Sequence, residues 1–387
     1  MSHLVPNRKF GRDHEDAITA VVVSPEGQRM VTGSCNRMLC LWDLKTGVML
    51  KKMEGNRHEV RALAVSRNGR MIASGGDQGE IIIWHGETGE YLIQVMMADS
   101  YTIFSLDFSP DGTVLASGSM DWMTKFWSTA TWEMEGNPIE SSSWVNCVRY
   151  SPSGKLLAIA SNTHLKIYNS DTKECVADMG ECFQPNLGNN SNHFLAWTPN
   201  GTRLLSAGCH GQRIQEWDTS AWKQVDDHGT GYCGRHIRDI AINPAGTLVA
   251  FASADEHVRL WRLSDRKTIA IFQNSTPTLC VTFSIDGKYI LSGGRDKMIS
   301  EWAVPEDANT MITIKDLATC STCIVEGFRA STRVFRRLTP VLTTTPHTPI
   351  NAQTHDWDQA LDDATKLSPE RFDRAESIYG PVMPRNV

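Results

Sequence analysis

This sequence of 387 residues lacks the features that mark membrane, secreted and disulfide-stabilised proteins. No apolar run approaches the ~20 residues needed to cross a bilayer, and the stretch before Asp16 contains no apolar core of a secretory signal. The ten cysteines are scattered through apolar stretches, as at Cys40, Cys147 and Cys280. Such scatter is typical of buried thiols in a reducing compartment. We therefore expect a cytoplasmic and/or nuclear protein that does not enter a membrane.

Motifs for catalysis, cofactors and metals are missing as well. The sequence contains no HExxH, GxSxG or GxxxxGK[ST] pattern. Cys320 and Cys323 form a single CxxC without the second pair of ligands that a structural zinc requires. A GxGxxG pattern at Gly229, Gly231 and Gly234 is followed by strand-like alternation, whereas a dinucleotide site needs a helix there. We predict no catalytic residue, no cofactor and no metal. The net charge of −6 also disfavours general binding of nucleic acid.

A sevenfold internal repeat with two landmarks dominates the first 300 or so residues. A turn of the Ser-Pro-Asp-Gly type recurs about every 43 residues, and an aromatic residue follows each turn after about 18 residues. The turns start at Ser24, Ser66, Ser109, Ser151, Thr198, Asn243 and Ser284. The aromatic residues, which we predict to be structural, are Trp42, Trp84, Trp127, Tyr168, Trp217, Trp261 and Trp302. Alternating apolar residues around these landmarks predict four strands in each repeat.

This double register resembles the WD40-repeat family of β-propellers, whose units of ~40–45 residues contain four strands each. The resemblance implies an all-β, seven-bladed propeller within residues 1–315. The approximate repeats are 10–43, 53–85, 96–128, 138–169, 186–218, 232–262 and 272–303. In the family, a His, a Ser or Thr, an Asp and the Trp form a hydrogen-bonded set, and this sequence matches it in part. His14 fits in the first repeat, and Asp121, Asp255 and Asp296 fit in later turns. We therefore expect packing to carry most of the stability of the blades.

Two segments could supply the strand that closes the ring. Leu4–Phe10 precedes the first repeat as a fourth strand would, and Met311–Lys315 alternates like a strand directly after the seventh repeat. The sequence favours closure by the N-terminal segment.

By resemblance, the function is that of a non-catalytic scaffold or adaptor, which binds protein partners on the top rim and inter-blade loops. Aromatic and Arg residues dominate the energetics of interfaces, and the sequence predicts several of them on this rim. The candidates are Trp122, Trp144, Phe183, Tyr232, Arg235 and Arg295. Each could instead pack on its own blade. A reader of a modified peptide or nucleic acid and an enzyme with a central-funnel site are the alternatives. We expect the propeller to be monomeric in itself.

The C-terminal part departs from the repeat. Residues 316–354 are rich in Thr and Pro and predict an extended linker, in which Thr339, Thr345 and Thr348 precede Pro and are open to proline-directed phosphorylation. Residues 355–387 carry apolar residues at helical spacing and predict a hairpin, faintly similar to part of a tetratricopeptide unit. The hairpin is expected to dock on the propeller or on a partner.

Overall fold

The structure, a computed structural model, describes residues 5–11, 13–95, 101–181, 194–208, 214–225 and 236–309. These residues form seven four-stranded antiparallel sheets, and one short 3₁₀ segment, Glu306–Asn309, follows the last of them. The prediction of an all-β, seven-bladed propeller is therefore confirmed. The predicted linker and helical hairpin lie outside the described residues.

Blades 1 to 3 take their four strands in chain order from the innermost to the outermost. Blade 1 consists of β2 (Ile18–Val23), β3 (Arg29–Ser34), β4 (Leu39–Asp43) and β5 (Met49–Met53). Blade 2 consists of β6 (Val60–Val65), β7 (Met71–Gly76), β8 (Ile81–His85) and β9 (Tyr91–Val95). Blade 3 consists of β10 (Ile103–Phe108), β11 (Val114–Ser119), β12 (Met123–Ser128) and β13 (Ile139–Glu140).

Blades 4 to 6 repeat this order. Blade 4 consists of β14 (Val145–Tyr150), β15 (Leu156–Ser161), β16 (His164–Asn169) and β17 (Cys175–Glu181). Blade 5 consists of β18 (Phe194–Trp197), β19 (Arg203–Ala207), β20 (Ile214–Asp218) and β21 (Lys223–Gln224). Blade 6 consists of β22 (Ile237–Ile242), β23 (Leu248–Ser253), β24 (His257–Arg262) and β25 (Lys267–Gln273).

Blade 7 is completed by a segment from the other end of the chain. Its first three strands are β26 (Thr278–Phe283), β27 (Tyr289–Gly294) and β28 (Ile299–Ala303), and its outer strand is β1 (Arg8–Phe10). Arg8 pairs with Glu301 and Phe10 with Ile299 in antiparallel register. The N-terminal closure that the sequence favoured is confirmed, and the competing segment Met311–Lys315 lies outside the described residues.

The hydrophobic core lies between the blades rather than inside any one of them. The innermost strands contact each other in a closed ring from β2 through β6, β10, β14, β18, β22 and β26 back to β2. Ile81 and Ile83 of blade 2, for example, share one buried cluster with Ile103, Leu106 and other residues of blade 3. Each sheet therefore buries both faces against its neighbours, which a single sheet cannot do.

The blade tryptophans combine burial with a hydrogen bond to the second strand. Trp42 Nε1 donates to Thr32 Oγ1 at 2.8 Å, and His14 Nε2 lies 2.7 Å from the same oxygen. Four further blades have a Ser hydroxyl in the place of Thr32, with N–O distances of 2.9 Å. The donors there are Trp84, Trp127, Trp217 and Trp302. Polar contacts thus contribute in more blades than the His and Asp pattern of the sequence indicated.

Blades 4 and 6 depart from this arrangement. Blade 4 has Tyr168, which packs in the core between blades 3 and 4. In blade 6, Phe251 occupies the position of the hydroxyl residue, and the buried Nε1 of Trp261 has no hydrogen-bond partner among the described residues. In these two blades the aromatic residue depends on packing, which the sequence led us to expect to carry most of the stability of the blades.

Candidate functional site

The antiparallel order of the strands places two kinds of connection on one rim of the propeller. The turns between the second and third strands and the links between blades lie at one end of the sheets, while the Pro-Gly turns lie at the other. We call the first end the top rim. Trp122 lies on it in the turn between β11 and β12, and Trp144 lies on it just before β14.

Trp122 occupies a left-handed backbone position in its turn. Its φ is 75°, and the residue is 47% exposed. The same position has φ between 63° and 76° in four other blades, where the residues are Arg37, Gly79, Glu256 and Lys297. A left-handed conformation costs a residue with a Cβ on the order of 1 kcal/mol, and glycine is the residue that avoids the cost. The turn itself therefore does not require a large aromatic residue at this position.

Trp144 forms the second part of an aromatic surface on the top rim. Its ring centroid lies 6.4 Å from that of Phe104 at an interplanar angle of 37°, which joins blades 3 and 4. Tyr101, which enters β10 from the preceding link, is 51% exposed. We call Tyr101, Phe104, Trp122 and Trp144 the blade 3–4 rim surface.

Backbone hydrogen bonds hold the pieces of the blade 3–4 rim surface together. The amide of Met120 donates to the carbonyl of Thr102 at 2.9 Å, between Tyr101 and Phe104 in the chain. The amide of Ser141 donates to the carbonyl of Trp122 itself at 2.8 Å, three residues before Trp144. The turn that carries Trp122 is thus fixed on both sides, so the surface is formed before any partner arrives.

Charged residues near the blade 3–4 rim surface form ion pairs with each other. Asp121 pairs with Lys125 at 3.0 Å in blade 3. In blade 2, Arg61 pairs with Asp77 at 2.7 Å and with Glu59 at 2.8 Å. The surface therefore combines exposed apolar area with neighbouring charges that lie in ion pairs.

The structure brings only part of the predicted rim set together. Trp122 and Trp144 lie on neighbouring blades, whereas Arg295 is exposed in the corresponding turn of blade 7. The candidates Phe183, Tyr232 and Arg235 lie outside the described residues. Sequence reasoning missed Tyr101 and Phe104. Phe104 could have been found by comparison of the repeats, because Thr19, Arg61 and Asn146 take its place in blades 1, 2 and 4.

The wall of the central channel carries two carboxylates and one guanidinium. Asp107 accepts a hydrogen bond from the amide of Tyr150 at 2.7 Å, and Asp239 accepts one from the amide of Val281 at 2.9 Å. Arg149 interacts electrostatically with both carboxylates. These groups connect blade 3 to blade 4 and blade 6 to blade 7. The described residues contain no cluster of three or more His, Cys, Asp or Glu side chains that could hold a metal ion.

Burial raises the pKa of Asp107 and the pKa of Asp239 to about 6, because an ionised carboxylate is poorly solvated in the channel wall. A carboxylate whose pKa is higher in the folded than in the unfolded chain stabilises the fold below its unfolded pKa. That contribution is lost as the pH rises through about 6. Both groups therefore lower the stability at neutral pH relative to pH 4.

We expect Asp239→Asn to become more stable than the natural protein as the pH rises from 5 to 7, because the amide keeps an acceptor for the Val281 amide without a buried charge. The measurement is the free energy of unfolding by urea at several pH values. Asp218→Asn is the control, since hydrogen bonds from Ser220 lower the pKa of Asp218 to about 2 and its effect is constant above pH 5. A stability difference for Asp239→Asn that does not change with pH would contradict the expectation.

Comparison with known proteins gives one family. Six segments of the chain match the family model described as WD domain, G-beta repeat, at residues 6–43, 47–85, 91–128, 131–169, 227–262 and 266–302. Together they cover more than half of the sequence. The predicted fifth repeat, 186–218, is not matched, although the structure has the four strands β18 to β21 of blade 5 in and just after it.

Several known proteins are similar to this chain at low identity. The "Periodic tryptophan protein 2 homolog" of Dictyostelium discoideum is 22% identical over 67% of this chain and 28% of that protein. "Cell division cycle 20.1, cofactor of APC complex" of Arabidopsis thaliana is 24% identical over 65% of this chain and 55% of that protein. The human "Transducin beta-like protein 2" is 26% identical over 48% of this chain and 46% of that protein. The chain thus spans about half or less of the length of these relatives. Among the residues that the structure describes, no helix has the length and apolar character needed to span a membrane.

Proposed function

Since this chain belongs to the WD40 family, we propose that it is a non-catalytic scaffold that holds protein partners on the top rim of its propeller. The observation that carries the proposal is the exposed Trp122 in a left-handed turn. The left-handed backbone is common to this turn in five blades, so the feature peculiar to blade 3 is the exposed aromatic side chain. Aromatic side chains bury a large area at a low entropy cost and are typical of interface hot spots.

The chemistry of the blade 3–4 rim surface supports a partner that contributes apolar side chains. The exposed Trp122 and Tyr101 lie on the same rim as the Phe104–Trp144 pair, and neighbouring charges of blades 2 and 3 lie in ion pairs. Binding to such a surface is expected to depend weakly on salt, because little net charge is neutralised. Arg295, Phe183, Tyr232 and Arg235 are proposed as further contacts on the same rim.

The relatives support a role in protein assembly, since the name of one of them describes a cofactor of a complex. We propose that the chain has no chemistry of its own, in keeping with the sequence, which carries none of the catalytic motifs considered above. The cytoplasm or the nucleus is the proposed location. The five cysteines in the described ranges, Cys35, Cys40, Cys147, Cys175 and Cys280, are all free, which suits a reducing compartment.

We expect Trp122→Lys to lose at least one partner that the natural protein captures, because it removes the exposed ring and supplies the residue that blade 7 has at this position, Lys297. The measurement is affinity purification from cells followed by quantitative mass spectrometry, with an expected loss of tenfold or more, a typical hot-spot effect. Ile285→Lys is the control, since Ile285 is 44% exposed in a turn at the opposite rim. An unchanged set of partners for Trp122→Lys, with an unchanged melting temperature, would refute the rim assignment.

A further inference from the structure

The outer strand of blade 2 differs from every other outer strand that the structure describes. Its sequence, YLIQV in β9, contains no charged residue. The other outer strands each contain at least one, in β1 (RKF), β5 (MLKKM), β13 (IE), β17 (CVADMGE), β21 (KQ) and β25 (KTIAIFQ). Charged residues on edge strands are a common means of preventing sheets from pairing edge to edge. Blade 2 lacks this protection.

The apolar side chains of β9 are also accessible. Tyr91 is 51% exposed, Leu92 is 49% exposed and Ile93 is 38% exposed. The pairing register shifts between Ile83 and Trp84 of β8, so that Leu92 is an extra residue in β9. Within the described residues, β9 pairs with β8 alone, so its outer edge presents unpaired backbone groups.

We propose that β9 pairs with β9 of a second copy of this chain, antiparallel and across a twofold axis at Ile93. Two identical edges then continue one sheet through both propellers, as closed symmetry requires of a self-complementary interface. Ile93 then meets Ile93 of the partner, Leu92 lies opposite Gln94, and no charge opposes a like charge. The same arrangement of β5 would place Lys51 of one copy against Lys51 of the other, which is unfavourable.

The size of the contact predicts a weak dimer. Five residues of edge and three partly exposed side chains amount to roughly 400 Å² from each copy, about half of what a stable interface buries on each side. A contact of this size is in the range of weak, transient interfaces. The dimer departs from the monomer that the sequence led us to expect, and it leaves the top rim free because β9 lies on the outer edge.

Sedimentation equilibrium of the full chain in reducing buffer tests the proposal, over concentrations from about 1 to 300 µM. The apparent mass of the natural protein is expected to rise with concentration from that of one copy towards that of two. Ile93→Lys places two lysines opposite each other at the axis and is expected to weaken association by tenfold or more. The control is Val176→Lys on β17, which is 50% exposed on a strand that is already charged, and it is expected to associate like the natural protein.

Two results would overturn the proposal. One is a natural protein that keeps the mass of one copy at every concentration. The other is an Ile93→Lys variant that associates as strongly as the natural protein while retaining its melting temperature. If Ile93→Lys lowers that temperature, Leu92→Lys takes its place, because Leu92 is more exposed. Hydrogen exchange gives an independent readout, since peptides covering residues 91–95 should become protected with rising concentration and those covering β17 should not.

Discussion

Replacing Trp84 by alanine is expected to lower the free energy of unfolding by about 4 kcal/mol. The side chain is 1% exposed and lies in the core between blades 1 and 2, against Leu41, Met53 and their neighbours. Its Nε1 donates to Ser74 Oγ at 2.9 Å, and its ring meets Tyr91 edge-on at 5.9 Å. Truncation would leave a large cavity that the two rigid sheets cannot close. Urea denaturation followed by circular dichroism measures the loss.

The matched control is Trp122→Ala, which removes the same number of atoms from the top rim. Because Trp122 is about half exposed, we expect a change within about 0.5 kcal/mol. The contrast separates the two roles that tryptophan plays in this sequence. Equal losses for the two variants would show that Trp122 is a packing residue and would remove the main support for the rim proposal.

Replacing Arg8 by alanine is expected to lower the free energy of unfolding by about 2 kcal/mol, less than for a fully buried pair because Arg8 is partly exposed. The guanidinium lies 2.6 Å from Glu301, whose side chain is 5% exposed against 32% for Arg8. It also donates to the carbonyls of Leu44 and Lys45 of blade 1 at 2.5 and 2.8 Å. Without Arg8, the buried Glu301 keeps a hydrogen bond from Asn7 at 3.2 Å but loses its countercharge. Thermal and urea denaturation measure the effect.

Arg29→Ala is the control for Arg8→Ala. Arg29 pairs with Glu26 at 3.4 Å on the surface, and its loss is expected to cost less than about 0.5 kcal/mol. In the Arg8→Ala background, Glu301→Gln should recover part of the stability, because it removes the unpaired buried charge. An Arg8→Ala effect no larger than that of Arg29→Ala would mean that backbone pairing alone closes the ring.

The repeat made most of the fold predictable from the sequence. The turn and the aromatic residue recur because every blade packs against its neighbours in the same way. Seven aligned copies therefore identify strands that a single copy would leave ambiguous. Blade 5 illustrates this point, since the register of Thr198 and Trp217 located it although the family model does not match it. The N-terminal closure was harder, because Leu4–Phe10 and Met311–Lys315 are equally strand-like and the choice depends on tertiary contacts such as that between Arg8 and Glu301.

The candidate site was predictable only in outline. Trp122 stood out because its turn position needs no aromatic residue, and Trp144 because it lies in a link between blades. Phe104 was hidden in a regular strand, where an aromatic residue is normally read as core. In the structure it is the extra residue where the pairing of β10 with β11 shifts register. The exposure of β9 was hidden for the same reason, since YLIQV is also an ordinary sequence for a buried strand.

The closing strand has a consequence for how the protein is made. Glu301 is synthesised 293 residues after its partner Arg8. At about 5 to 20 residues per second, synthesis of the intervening chain takes about 15 to 60 seconds. During that time blades 1 to 6 can form one after another, while the partner strand of β1 has not yet been synthesised. The ring can therefore close only after the three inner strands of blade 7 have been synthesised.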